Sequence, residues 1–138
     1  VVFIGISSGG FASLLFGKIL KVNKIISFSP QTNISKTFLN KINDKRFDKL
    51  LERNVYNPWN NKFYDINNYE LHKNQEIIII YSSINNLDKQ HIRLIENSCN
   101  KIIDISNVPN NEIYSHGHKV AKFLKEEGLL NNILDEHV

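Results

Sequence analysis

The chain has 138 residues, 41% of them hydrophobic and 22% charged, which is the mix of one globular domain able to bury a core. A net charge of +3 is mild, and the Lys and Arg residues alternate with acids, as in Asp44-Lys45-Arg46 and Lys125-Glu126-Glu127. No basic tract with interleaved aromatics speaks for a nucleic-acid partner. The single cysteine, Cys99, excludes an internal disulfide and fits a reducing compartment. The run Ile77-Ile78-Ile79-Ile80 is far too short to span a bilayer, so no membrane association is expected. Val1-Val2-Phe3-Ile4 lacks the basic start of a signal peptide, and the expected location is cytoplasmic. Because the chain lacks Met and opens on a strand, further residues are expected before Val1.

Taken in order, Val1 to Ile4 reads as a fully buried strand ending at Gly5. Phe11 to Leu20 reads as a helix buried on most sides, and Lys24 to Phe28 as a second strand closed by Ser29-Pro30. Strand, tight turn, helix, strand is the pattern of a parallel sheet with a crossover helix. Residues 31 to 75 are polar and rich in Asn and Lys, and are expected to form a cap or insert over the sheet. One amphipathic helix is expected there, capped by Asn43 or Asp44 and carrying Phe47, Leu50 and Leu51, followed by a loop from Tyr56 through Asn61. Glu76 to Ser83 holds the strongest strand. A helix follows from about Asp88 to Cys99, with Ile92, Leu94 and Ile95 inward, then a strand from Lys101 to Ile105. The final pattern is a helix from His118 to about Glu127, with Val120, Ala121, Phe123 and Leu124 inward and Gly128 at its C-terminal end. The expected fold class is therefore α/β, a mostly parallel sheet with flanking helices and an inserted cap region.

The sharpest chemical signal is Gly5-Ile6-Ser7-Ser8-Gly9, a G-x-S-x-G motif between a strand and a helix. Such a turn holds its serine in a strained conformation above the helix N-terminus, whose positive end favours a developing oxyanion. Gly5 and Gly9 are expected to be glycines because a side chain at either place would collide with the neighbouring strand or helix. Ser7 is the candidate nucleophile, and the Ser8 backbone N–H is the candidate oxyanion-hole donor. Neither G-x-G-x-x-G nor a P-loop pattern is present, so no nucleotide cofactor is expected. A serine nucleophile needs a base, and the base an orienting acid. Asp88 lies beyond the strongest strand and His118 beyond the last one, both at ends where open α/β sheets place their sites. His118 is preferred because it abuts the closing helix and follows Gly117. His116 is the alternative base. Asp88 has a second reading as an N-cap. Asp104, inside a strand, and His91, on a helix surface, are expected to stand apart. Tyr56, Trp59 and Phe63 would line a substrate pocket or anchor the insert. His116 and His118 lack partners at metal-ligand spacing, so no metal is expected.

From the nucleophile strand to its end, the chain resembles the α/β-hydrolase superfamily. Ser7-Ser8-Gly9-Gly10-Phe11-Ala12, Phe28-Ser29-Pro30-Gln31, Leu87-Asp88-Lys89-Gln90-His91 and Gly117-His118-Lys119-Val120 resemble a group of bacterial hydrolase-like proteins often linked to surface polysaccharide or glycosyltransferase modules. The resemblance implies a serine esterase or thioesterase, with Ser7 as nucleophile, His118 as general base and acid, and Asp88 as orienting carboxylate. It implies a small-molecule or glycan ester substrate, and places a second oxyanion donor in a segment before Val1. By the same comparison the sheet would be completed by an N-terminal segment or by a second copy. A non-catalytic binding or assembly module of a larger protein is the rival class.

Overall fold

Four consecutive isoleucines, Ile77 to Ile80, can all be buried only if both faces of their strand are covered. The computed structural model, which describes residues 1–51, 62–107 and 116–137, places them in that setting. Strands β1 (Val2–Ile6), β2 (Lys24–Phe28), β3 (Glu76–Tyr81) and β4 (Lys101–Asp104) form one sheet in the order β1-β2-β3-β4, every pair parallel. Alternate side chains point to opposite faces. Ile25, Ile77 and Ile79 pack on one side with Leu14, Ile92 and Ile95, while Ile26, Phe28, Ile78 and Ile80 pack on the other with Val120, Phe123 and Leu124.

The first face is covered by α1 (Ser8–Leu20) and α4 (Asn86–Arg93), and the second by α5 (His118–Glu126) and α6 (Leu129–His137). The α/β class with a parallel sheet and flanking helices is thus present. The closing helix α6 adds Leu130, Ile133 and Leu134 to the second face and was not expected from the sequence. No helix of the described residues is long and apolar enough to cross a membrane.

Several local expectations are corrected. β1 is an edge strand and not a fully buried one, with Ile4 53% and Ile6 37% exposed. In α1, Phe16, Ile19 and Leu20 face outward while Lys18 is buried. Lys18 Nζ donates to the carbonyls of Tyr69 at 3.0 Å and Ile66 at 3.4 Å, and so ties the helix to that segment. Leu94 is also exposed, while Ile92 and Ile95 are buried.

Among the described residues between β2 and β3 there are two short α-helices, α2 (Lys36–Ile42) and α3 (Asp48–Leu51), where a single one was expected. Ser35 caps α2 by accepting the Phe38 N–H. Asn43 ends α2 in a left-handed conformation, φ 56°, and so does not start a helix. Leu39, Ile42 and Ile66 are buried, so this segment contributes to the packed core. Phe63 stacks on Tyr69 with ring centroids 6.3 Å apart. Tyr56 and Trp59 lie outside the described residues.

Candidate active site

β1 ends at Ile6, and Ser7 turns the chain into α1 with φ 54° and ψ −119°. A non-glycine residue holds such a conformation only where its surroundings enforce it. Here the Ser7 N–H donates to the Phe28 carbonyl at 2.9 Å, and the Ser7 carbonyl accepts the Phe11 N–H at 3.0 Å. Gly5 is required because a Cβ there would lie 2.1 Å from the Gly9 carbonyl oxygen. The matching expectation for Gly9 is corrected: no heavy atom lies within 4 Å of a Cβ built there. Gly10 is the second tight position, with a Cβ meeting Ser27 Oγ at 2.6 Å and Pro30 Cα at 3.1 Å. The close approach of α1 to β2 therefore falls one residue later than the motif suggests.

Ser7 Oγ lies 3.0 Å from His116 Nε2, and His116 Nδ1 lies 2.6 Å from Asp88 Oδ2. The side chain that meets Ser7 is thus His116, and the preference for His118 is corrected. His118 is the first residue of α5 and is exposed. Between them Gly117 adopts φ 56° and ψ −127°, a conformation open to glycine, and a Cβ at Gly117 would lie 3.6 Å from Ser7 Cβ. That reversal leaves His116 over the elbow while α5 leads away from it.

Asp88 occupies the first turn of α4, where the helix dipole favours a carboxylate, and it is fully buried. It is not the N-cap; Asn85 is, accepting the Asp88 N–H at 3.1 Å. Ser7, Asp88 and His116 all follow C-terminal ends of the sheet. Ser8 opens α1, so its N–H has no acceptor within the helix and is free for a negatively charged oxygen. Ser7 is half-buried and Ser8 exposed, leaving the elbow accessible.

Two further charged residues and a histidine support this trio. Arg46 Nη1 donates to Asp88 Oδ1 at 2.7 Å, so both oxygens of that carboxylate are engaged. Arg46 Nε and Nη2 grip Asp44 at distances between 2.6 and 3.1 Å, and the Arg46 backbone N–H donates to the same carboxylate. Asp44 is also 3.1 Å from His91 Nε2. The Thr32 backbone N–H donates to His91 Nδ1 at 3.1 Å, which puts the ring proton on Nε2, directed at Asp44. His91 is therefore wholly buried, and its expected surface position is corrected. Burial alone would raise the Asp44 carboxyl. Hydrogen bonds from His91 and Arg46 outweigh burial and hold it well below the usual carboxylate range. Against the cost of its own burial, Arg46 is pushed further up by Asp44 and Asp88.

Nothing in the sequence marked Asp44, Arg46 or His91 as a group. The one available signal was Asp88-Lys89-Gln90-His91, whose spacing puts Asp88 and His91 on one side of a helix. Cys99 stands apart, its thiol pushed up to about 11 by burial in spite of the nearby Lys18. Asp104 accepts the backbone N–H groups of Ser83 and Ser106 at the end of β4, which hold its carboxyl below the usual range against partial burial. Among the described residues, no group of three or more His, Cys, Asp or Glu is arranged to hold a metal ion. Comparison of the chain with known protein families, with curated proteins and with solved structures finds no match.

Proposed function

We infer that the protein is a serine hydrolase that cleaves an ester or thioester through an acyl-enzyme on Ser7. The observation that carries this reading is the unbroken series from Ser7 Oγ to His116 Nε2, 3.0 Å, and from His116 Nδ1 to Asp88 Oδ2, 2.6 Å, on a strained strand-to-helix turn. In the resting tautomer Nδ1–H donates to Asp88, which leaves the Nε2 lone pair facing the Ser7 hydroxyl. Ser7 Oγ attacks the substrate carbonyl carbon as its proton passes to Nε2. The carbonyl oxygen becomes an oxyanion, for which the Ser8 N–H at the start of α1 is a donor. Collapse expels the alcohol or thiol, which takes the proton from His116. Water then attacks the acyl-enzyme, gives its proton to Nε2, and the acid leaves with Ser7 restored. A sugar hydroxyl in place of water would turn the same steps into acyl transfer.

The test is labelling with a fluorophosphonate probe, read by intact mass and peptide mapping. One adduct is expected on the Ser7 peptide, absent in Ser7→Ala. Ester turnover should fall on the order of 10⁵–10⁶-fold in that variant, as for other nucleophile deletions. Absence of both labelling and turnover in the wild-type protein would reject the reading.

A further inference from the structure

We propose that Arg46 is a positioning residue of this site, holding Asp88 in the one orientation that presents Oδ2 to His116. The inference rests on the hydrolase reading for its role in turnover, but its geometric part stands separately. Arg46 is not held by Asp88 alone. Three of its contacts go to Asp44, whose side chain is fully buried and is braced from behind by His91, itself fixed by the Thr32 N–H. The guanidinium is planar and rigid, so anchoring Nε and Nη2 on Asp44 dictates where Nη1 points. It points at Asp88 Oδ1, leaving Oδ2 for His116. Asp88 cannot rotate without breaking a contact on each side.

Arg46 Nη1 also lies 3.3 Å from His116 Nδ1. Both nitrogens carry hydrogens in the tautomer that donates to Asp88, so the approach is a donor meeting a donor. The two donors therefore share Asp88 as acceptor, Nη1 on Oδ1 and Nδ1 on Oδ2. The charged and titratable groups that face Arg46 are Asp44 on its own loop, Asp88 on α4 and His116 before α5, with His91 of α4 behind Asp44. Arg46 thus fixes which carboxylate oxygen the ring meets, and through it the direction in which Nε2 faces Ser7.

The experiment uses the full chain with Arg46→Met and Arg46→Lys. It follows the Nδ1 proton of His116 by NMR and the rate of fluorophosphonate labelling of Ser7 at about pH 8. The wild-type protein should show a downfield Nδ1 proton held by Asp88; in Arg46→Met that signal should shift or broaden away and labelling should slow about tenfold, because the ring is no longer aimed. Arg46→Lys keeps the charge and loses the fork, so it should restore neither the signal nor the rate. A wild-type signal or a wild-type rate in Arg46→Met overturns the proposal. If Arg46→Met does not fold, Arg46→Lys decides: a wild-type signal and rate count against it. Failure of the wild-type protein to label rejects the hydrolase reading, while the Nδ1 proton still judges whether Arg46 orients the Asp88–His116 pair.

Discussion

Removing the imidazole at position 116 should abolish the reactivity of Ser7, whereas removing the one at position 118 should leave it intact. In His116→Ala the hydroxyl loses its proton acceptor and Asp88 keeps only Arg46, so kcat/KM for an activated ester should fall on the order of 10⁴-fold or more. His118 is exposed on α5, and His118→Ala should change the same quantity less than about twofold. Equal losses in the two variants would count against His116 as the base of this site. The two histidines were hard to separate by sequence because the deciding feature is the backbone of Gly117, which faces one forward and the other away. Ser7 and Asp88 were easier, since each follows a strand whose apolar run announces it. Asp44-Lys45-Arg46 looked like ordinary surface charge. Its role depends on Asp88 and His116, 42 and 70 residues away from Arg46, and no local pattern encodes that meeting.

At the scale of elements, the elbow and the helix that follows it make opposite demands on neighbouring glycines. Gly5 faces backbone at 2.1 Å, which no side-chain movement relieves, so Gly5→Ala should lose on the order of 3 kcal/mol or more and should block Ser7 labelling. Gly9 lies within α1 with open space around it, so Gly9→Ala should be neutral or should gain up to about 1 kcal/mol from helix propensity. Thermal melts of the two variants, paired with labelling, check both statements. The motif spacing had implied the same constraint at both positions, because a pattern of residue types does not say which side of a helix meets the sheet. Similar reasoning explains α1 and α2. The buried side of α1 holds Leu14 and Leu15 but also Lys18, whose ammonium is received by backbone carbonyls, while Phe16, Ile19 and Leu20 face outward, so apolarity alone does not predict its inner face. α2 was announced by Ser35 ahead of Phe38, Leu39 and Ile42, but so short an apolar stretch in an Asn- and Lys-rich region gave little periodicity to read. The positions of all four strands were legible, most clearly β2 and β3 with their isoleucine runs buried on both faces, whereas the exposure of β1 at the sheet edge was not.

Across the whole molecule, the Asp44–Arg46–Asp88 network joins the segment between β2 and β3 to α4 and to the loop before α5, so its ionisation should govern how the fold responds to acid. Asp44 is wholly buried, and its carboxyl is held well below the ordinary value of 3.8 because hydrogen bonds from His91 and Arg46 exceed the cost of burial. A carboxyl depressed in the folded state binds its proton more readily when the chain is unfolded. Its stabilisation is therefore fully present above about pH 4 and is lost progressively as the pH falls toward the depressed folded value. Asp44→Asn removes this contribution. At neutral pH the variant should be less stable by about 3 kcal/mol, the lower end of the range for breaking a buried pair, because the Arg46 side chain retains 26% of its exposure to water. Below about pH 4 the difference between the two proteins should begin to narrow, since the unfolded wild-type chain then binds a proton at Asp44 that the folded chain still refuses. Urea unfolding at pH 7 and at pH 3 measures both differences. A constant gap at the two pH values would mean that Asp44 acts through shape and hydrogen bonding alone. A gap that narrows in acid would place its charge at the centre of the contact between the segment joining β2 to β3 and the rest of the fold.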